Sequence, residues 1–330
     1  MDFAFLSADW LGKPLWLWAL FLALVAALLA FDLGVLNRKS KEIGVRQSLA
    51  LSAFYIAAGV AFGVYVWMTF GAQAGMNYMT GFALEKALAM DNIFVIAMIF
   101  AYFGVPRQHQ HRVLVWGILG VIVLRALLIG AGAAIVARFE WVLYLFDVFL
   151  ILTGVKMILA GDKPYDVANN PALAYVRRHF NVTDELHGER FFVRKEKDGK
   201  LATFATPLFL ALAMIELADI VFAVDSVPAV LAITTDPFIV YTSNIFAILG
   251  LRALYFALAA MAERFHYLKY ALAAVLVFIG GKILVADMLG IGKVPPLLSL
   301  GVTLGLLAAG GVARLVLTRP AAPREEISAP

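Results

Sequence analysis

Two short clusters of acidic and polar residues interrupt segments that are otherwise apolar, and they are the best candidates for chemistry in this sequence. Each has an acid, five further residues, an aspartate, and then an asparagine or serine. The members are Glu85, Asp91 and Asn92 in the first cluster, and Asp219, Asp225 and Ser226 in the second, with Glu216 preceding the second. Carboxylate, amide and hydroxyl oxygens without Cys or His suit hard divalent cations, so the pattern predicts a site for magnesium, calcium or manganese.

Helical spacing limits how these oxygens can meet. Glu85 and Asn92 are separated by nearly two helical turns and therefore share one face, as do Asp219 and Ser226. Asp91 and Asp225 each point roughly 100° away from the Asn or Ser that follows them. One straight helix cannot direct all of these groups to one point. Either two helices bring their oxygens together, or the helix that carries Asp225 unwinds near Pro228, because proline breaks or kinks a helix.

The composition requires a membrane around these clusters. Of the 330 residues, 63% are hydrophobic and 15% are charged, whereas a soluble domain is about half apolar and about a quarter charged. The absence of cysteine excludes disulfides and thiolate metal sites. The net charge of +4 does not indicate nucleic-acid binding, because the basic residues occupy short segments between apolar runs, as in proteins oriented in a lipid bilayer.

Segments of roughly 20 apolar residues can span the bilayer, and about nine are present. They cover residues 15–36, 49–70, 78–103, 113–136, 141–160, 204–232, 238–261, 267–287 and 297–317. Basic residues concentrate in alternate loops, which places the N-terminus outside and the C-terminus in the cytoplasm. We therefore predict an all-α polytopic membrane helix bundle over residues 1–318. A cytoplasmic loop at about 161–202 includes a hairpin at residues 198–199, and residues 319–330 form a disordered cytoplasmic tail.

Three pairs of similar segments recur in the same order along the chain. Residues 89–92 resemble 223–226, residues 124–127 resemble 251–254, and residues 154–159 resemble 280–284. Each copy has three spans, so the second copy enters the membrane from the opposite side. Spans 3–5 and 6–8 are thus predicted to form an inverted repeat, the usual construction of secondary transporters, whose sites lie at the repeat interface near the midplane.

Charged residues inside the predicted spans also indicate function. Each costs about 2.5–3.5 kcal/mol at a helix centre, so they must pair, line a wet cavity or bind an ion. The charges expected to support the two clusters are Asp32, Arg125, Lys156, Arg252 and Lys282. They could also be structural ion pairs, which are costly to break. Asp147 could likewise be only a hydrogen-bond partner.

Several of these stretches resemble the signature of the TerC family of bacterial membrane proteins. The resemblance is carried by residues 31–34, 85–95, 216–230 and 235–255, and it extends over about 15–318. TerC proteins are similar to LysE-type exporters and are linked to tellurite resistance and, in one branch, to manganese export. The resemblance implies a cation exporter of the inner membrane, with Mn²⁺ as the leading substrate and the acids of both clusters as its ligands.

The resulting hypothesis is export of Mn²⁺ by alternating access in exchange for protons, without enzymatic activity or a cofactor. Three alternatives stay open at this point. The chain could be an intramembrane aspartyl protease, an amino-acid exporter, or an accessory protein that assembles or metallates partners docked on the loop at 161–202.

Overall fold

The computed structural model of the protein describes residues 8–34, 45–139, 141–159, 166–168, 170–197, 200–258, 266–288 and 294–317. Its helices are α1 (Leu15–Gly34), α2 (Val45–Phe70), α3 (Ala72–Tyr102), α4 (Arg107–Arg138), α5 (Val142–Leu159), α6 (Pro171–His179), α7 (Pro207–Leu231), α8 (Pro237–Ile248), α9 (Leu251–Leu258), α10 (His266–Met288) and α11 (Pro296–Leu317). Its strands form two antiparallel pairs, β1 (Asp9–Trp10) with β2 (Lys13–Pro14) and β3 (Phe192–Lys197) with β4 (Lys200–Ala205). The predicted all-α polytopic bundle is thus confirmed.

Fewer of the described helices have the length and hydropathy of a membrane span than the nine predicted. Seven of the described segments are long and apolar enough to cross a membrane. They are Leu15–Asp32, Arg46–Phe70, Arg107–Arg138, Val142–Leu159, Pro207–Leu231, Pro237–Ala257 and Lys269–Ala286. The two other predicted spans correspond to α3 and α11. Helix α3 is continuous, but Glu85, Lys86 and Asp91 interrupt its apolar sequence. In α11 the apolar segment found is the shorter Pro296–Gly310. The total of nine therefore stays a prediction.

In the predicted repeat, α3, α4 and α5 are equivalent to α7, α8–α9 and α10, and each helix of one half packs against a helix of the other half. Helix α3 packs against α8, α7 packs against α4, and α5 packs against α10. At the last interface, a Cβ added to Gly154 would lie 2.7 Å from the main-chain oxygen of Ala273, and one added to Gly280 would lie 2.5 Å from that of Asp147. Gly154 and Gly280 are equivalent positions of the repeat, as are Asp147 and Ala273. This reciprocal contact favours the repeat, which remains a prediction.

A single methyl group should distinguish the two neighbouring glycines of α10. We expect Gly280→Ala to lower the melting temperature of the detergent-purified protein, because its Cβ meets main-chain atoms that cannot move aside, and overpacking typically costs about 1–3 kcal/mol. Gly281→Ala is the matched control, since nothing lies within 4 Å of its added Cβ. Equal melting temperatures for the two variants would contradict this close α5–α10 packing.

Of the two ways in which the oxygens could meet, unwinding near Pro228 is not observed. Helix α7 continues through Asp225 and contains Pro228 in its last turn. The chain breaks instead between α8 and α9, where Leu249 has ψ 134° and Gly250 has φ +79°. The backbone of Gly250 lies close against Tyr55, where a Cβ would come within 2.6 Å of that side chain. The predicted span 238–261 is therefore two helices over its described residues.

Buried Lys86 stabilises this break. Its Nζ donates hydrogen bonds to the main-chain oxygens of Ala247 at 3.0 Å and Leu249 at 3.4 Å. Carbonyl groups at the C-terminal end of a helix lack intrahelical partners and carry partial negative charge, so a cation is favourable there. Lys86 thus fixes α3 to the end of α8.

The polar connection between α5 and α7 contains α6 and the β3–β4 pair. The predicted hairpin is confirmed, with Val193 opposite Phe204 and Arg194 opposite Thr203. Its turn at 198–199, like the tail at 319–330, lies outside the described residues. Leu173 and Val176 of α6 are buried in the same apolar cluster as Leu208 of α7, so this connection packs on the bundle.

Candidate functional site

Arg125 is the centre of a buried network of polar side chains in the middle of the bundle. Its guanidinium is 1% exposed and pairs with Glu85 of α3 and with Asp219 of α7, at 3.1 Å from Nη2 to Oδ1. Nη1 also donates to Ser226 Oγ at 3.3 Å and to Asn244 Oδ1 at 3.1 Å. The amide of Asn244 donates in turn to Glu85 Oε2 at 3.0 Å. Four helices, α3, α4, α7 and α8, are joined through one cation.

The charge of this network is unbalanced. Glu85 and Asp219 supply two carboxylates, and Arg125 supplies the one cation in contact with them among the described side chains. If both acids are ionised, one negative charge remains uncompensated in the interior, where a net charge is costly. A further cation or a proton would remove this cost, so the network is electrostatically suited to accept one.

A small cavity lies directly beside the network. It has a volume of about 30 Å³, enough for a water molecule or a small ion, and lies between α3, α4, α7 and the α8–α9 break. Asn92 and Asp219 are its polar lining residues, and the other walls are apolar side chains such as Ile118, Ile215 and Phe222. Asp219 therefore belongs both to the Arg125 network and to the wall of the cavity.

Glu216 lies one turn before Asp219 and adds a second acid to this region. Its Oε2 is buried and has no hydrogen-bond partner among the described residues. The carboxylate lies over Gly120 of α4, where a Cβ would overlap it, and Gly117 one turn earlier lines the cavity. Because Gly117 and Gly120 have no side chain, α4 leaves room for this side of α7. The unsatisfied buried oxygen of Glu216 is an acceptor available to a cation or a proton.

The remaining predicted ligands lie elsewhere or are not described. Asp225 is half-buried on another face of α7, where it interacts with Thr153 and with the charge of Lys156 on α5. Asp91 is helical in α3, but its side chain lies outside the described residues. The structure thus brings together Glu85, Asp219 and Ser226, and places Asn92 and Asp219 on one cavity. Among the described side chains no group of three or more His, Asp or Glu residues is arranged to hold a metal, so the metal site stays a prediction.

Arg252 forms a second buried cluster with residues from two other helices. Its Nη2 pairs with Asp32 Oδ1 of α1 at 2.6 Å, and its Nη1 contacts His111 Nε2 of α4 at 2.7 Å. Leu251, next to Arg252, and Leu114, one turn after His111, line the cavity. The cavity therefore lies between two arginines that occupy equivalent positions of the predicted repeat.

Breaking the Arg252 cluster should destabilise the protein. We expect Asp32→Ala to lower the unfolding free energy by about 3–5 kcal/mol, because it leaves a buried guanidinium without its carboxylate. The measurement is denaturant unfolding in detergent. Glu189→Ala is the control, since it breaks an ion pair with Arg112 at 3.4 Å whose side chains are 42% and 46% exposed, worth about 0–1 kcal/mol. A loss for Asp32→Ala no larger than the control's would contradict the assignment.

Three participants were missed from the sequence. Asn244 lies in the stretch 235–255, but no role was predicted for it. Its polar side chain within an apolar span was the available signal. His111 lies at the beginning of α4 in a polar stretch and gave no signal of a buried partner. Gly120 is one of many glycines, and only the position of Glu216 gives it a role.

The helical bundle and its buried charged network define a multi-pass integral membrane protein. The model of the integral membrane protein TerC family matches residues 70–322, and the chain belongs to this family. The chain is 47% identical over 319 residues to an uncharacterized membrane protein of Myxococcus xanthus, covering 97% of both chains. It is 46% identical over 305 residues to an Escherichia coli protein named as a candidate membrane-bound redox modulator, Alx, covering 90% of this chain and 92% of that protein. No solved structure matches the chain.

Proposed function

We propose that this protein exports a divalent cation, with Mn²⁺ as the leading substrate, from the cytoplasm by alternating access in exchange for protons. We place it in the bacterial inner membrane with its N-terminus outside and its C-terminus in the cytoplasm, and we propose no enzymatic activity. One observation carries the proposal. Asp219 pairs with Arg125 and also lines a cavity large enough for one ion.

In the proposed mechanism Arg125 is a counter-cation that the substrate displaces. A guanidinium between Glu85 and Asp219 prevents two buried carboxylates from standing unpaired. A divalent ion entering the cavity meets the oxygens of Asn92 and Asp219 first, and it neutralises the network more completely than the single charge of Arg125. Glu216, one turn before Asp219 in α7, provides its unpartnered oxygen as a further acceptor for the ion. Release of the ion returns the carboxylates to Arg125 or to protons.

Exchange between arginine and metal would couple binding to helix movement. Arg125 belongs to α4, whereas its partners Glu85, Asp219 and Asn244 belong to α3, α7 and α8. Loss of the guanidinium contacts would remove the polar contacts of Arg125 with these three helices at once. A ligand shifts a conformational equilibrium only through its differential affinity for the two states, and competition with Arg125 supplies such a difference.

The alternative is an accessory membrane protein that assembles or metallates other proteins. It is favoured by exposed apolar side chains on the loop at 161–202, where Tyr175 is 63% exposed and Leu201 is 77% exposed. The redox modulation in the name of the Escherichia coli relative would not use thiols here, because this chain has no cysteine. Shortening the loop should abolish the accessory activity while leaving metal flux unchanged, which separates the two proposals.

The proposal can be tested in bacterial cells that lack their own manganese exporters. Expression of the wild-type chain is expected to lower the manganese content of cells grown in excess manganese, measured by mass spectrometry of washed cells. Asp91→Asn and Asp219→Asn should each abolish the effect, since Asp91 is a predicted ligand and Asp219 lines the cavity. Asp184→Asn, an exposed acid of the loop, is the matched control and should export normally. Normal export by both of the first two variants would refute the proposal.

A further inference from the structure

Asp147 is a buried acid that the proposed cation pathway does not use. It lies in α5, is 0% exposed, and has no hydrogen-bond partner on either carboxylate oxygen among the described residues. Its helix packs closely on α10, where Gly280 lies against the main-chain oxygen of Asp147. The cavity beside Asp219 is lined by α3, α4, α7 and the α8–α9 break, so Asp147 belongs to a different part of the bundle.

The charged surroundings of Asp147 are sparse. Lys282 of α10 is the cation that acts on it. Helix α7 also packs on α5, but its Asp225 is directed to Thr153 and Lys156. Helix α4 presents Arg138 near this end of α5, and that guanidinium lies over the ring of Phe139. Lys282 is thus the one charge among the described residues that could stabilise an ionised Asp147.

Burial and the charge of Lys282 act on the protonation of Asp147 in opposite directions. A buried carboxylate without hydrogen bonds is unfavourable, so burial favours the neutral acid. The positive charge of Lys282 favours the ionised form. A small change in the distance between α5 and α10 would therefore shift the balance, and these two helices belong to different halves of the predicted repeat.

We propose that Asp147, buried at the α5–α10 interface without a hydrogen bond, is a proton-binding site of the transport cycle that is separate from the cation site. The inference rests on the proposed proton-coupled export. On the outer side a proton from water forms the O–H bond of Asp147. On the cytoplasmic side this bond breaks, the proton returns to water, and Lys282 compensates the carboxylate. The equivalent position of the repeat is Ala273, so the α5–α10 interface carries this acid in one half alone.

The test uses purified protein in liposomes with manganese as the probe. Asp147→Asn keeps the size of the neutral acid, and we expect it to retain manganese exchange. Its manganese accumulation driven by a pH gradient should be at least tenfold lower than that of wild type. Asp147→Glu should keep coupling, and Asp184→Asn should behave as wild type. Gradient-driven accumulation by Asp147→Asn at the wild-type level would overturn the inference, and so would loss of exchange together with coupling.

An infrared measurement separates this inference from the proposed function. The wild-type protein should show the C=O stretching band of a protonated carboxylic acid that disappears in Asp147→Asn, whichever ion is transported. Absence of manganese flux in wild type would refute the export proposal alone if this band is present and titrates. A spectrum that Asp147→Asn leaves unchanged would overturn the proton site even if wild-type export is normal.

Discussion

Replacing Arg125 with methionine is expected to destabilise the protein strongly and to convert its centre into a cation site. The substitution leaves Glu85 and Asp219 as two buried carboxylates without their shared cation. Removing one partner of a buried ion pair costs about 3–5 kcal/mol, because the remaining charge is uncompensated. We expect a corresponding loss in denaturant unfolding of the detergent-purified variant.

A divalent cation should restore part of that stability. If the carboxylates form the cation site, manganese should raise the melting temperature of Arg125→Met far more than that of wild type, because in wild type it must displace the guanidinium. A ligand at 100 times its Kd stabilises by about 2.7 kcal/mol. Arg112→Met is the control, since its pair with Glu189 is exposed. No preferential stabilisation by manganese would show that Glu85 and Asp219 are a structural ion pair.

Asp219→Asn should have the largest effect on transport with the smallest change in shape. It removes one of the two carboxylates of the network and the one carboxylate that lines the cavity. Loss of residues that only orient metal ligands typically costs about 10–100-fold, so we expect manganese flux to fall by at least about 100-fold. The measurement is initial flux in liposomes at equal amounts of folded protein.

Ser226→Ala is the matched comparison within the same helix. Ser226 accepts one hydrogen bond from Arg125 at 3.3 Å and does not line the cavity. A typical hydrogen bond is worth about 0.5–1.5 kcal/mol net, so removal of this one long bond should reduce flux by no more than about tenfold. If Asp219→Asn transports as well as Ser226→Ala, the cavity beside Asp219 is not the cation pathway.

The sequence predicted the class of fold and the central acids well, for identifiable physical reasons. A composition with 63% hydrophobic residues leaves a membrane bundle as the physically favourable fold. The cost of charge in lipid singled out Glu85, Asp219 and Arg125, which the structure places in contact. Helical geometry also predicted that Asp225 points away from Ser226, and in the structure Asp225 lies beside Lys156 on α5 while Ser226 contacts Arg125.

What the sequence did not give depends on contacts between distant segments. Pro228 made a break in α7 one of two alternatives, but α7 remains continuous through it. The break after Ile248 is held by Lys86, which is 161 residues from Ala247 in the chain. The ion pair between Asp32 and Arg252 spans 220 residues, and no local pattern connects such positions.

Manganese flux in liposomes with an imposed pH gradient tests the central claim most directly, with wild type and Asp91→Asn compared at equal protein content. We predict wild-type flux that requires the gradient and is absent in Asp91→Asn. Flux of manganese that ignores the gradient would contradict the proposed proton coupling. No flux with manganese, calcium or magnesium would contradict export itself, and would favour the accessory role with the buried acids as structural charge.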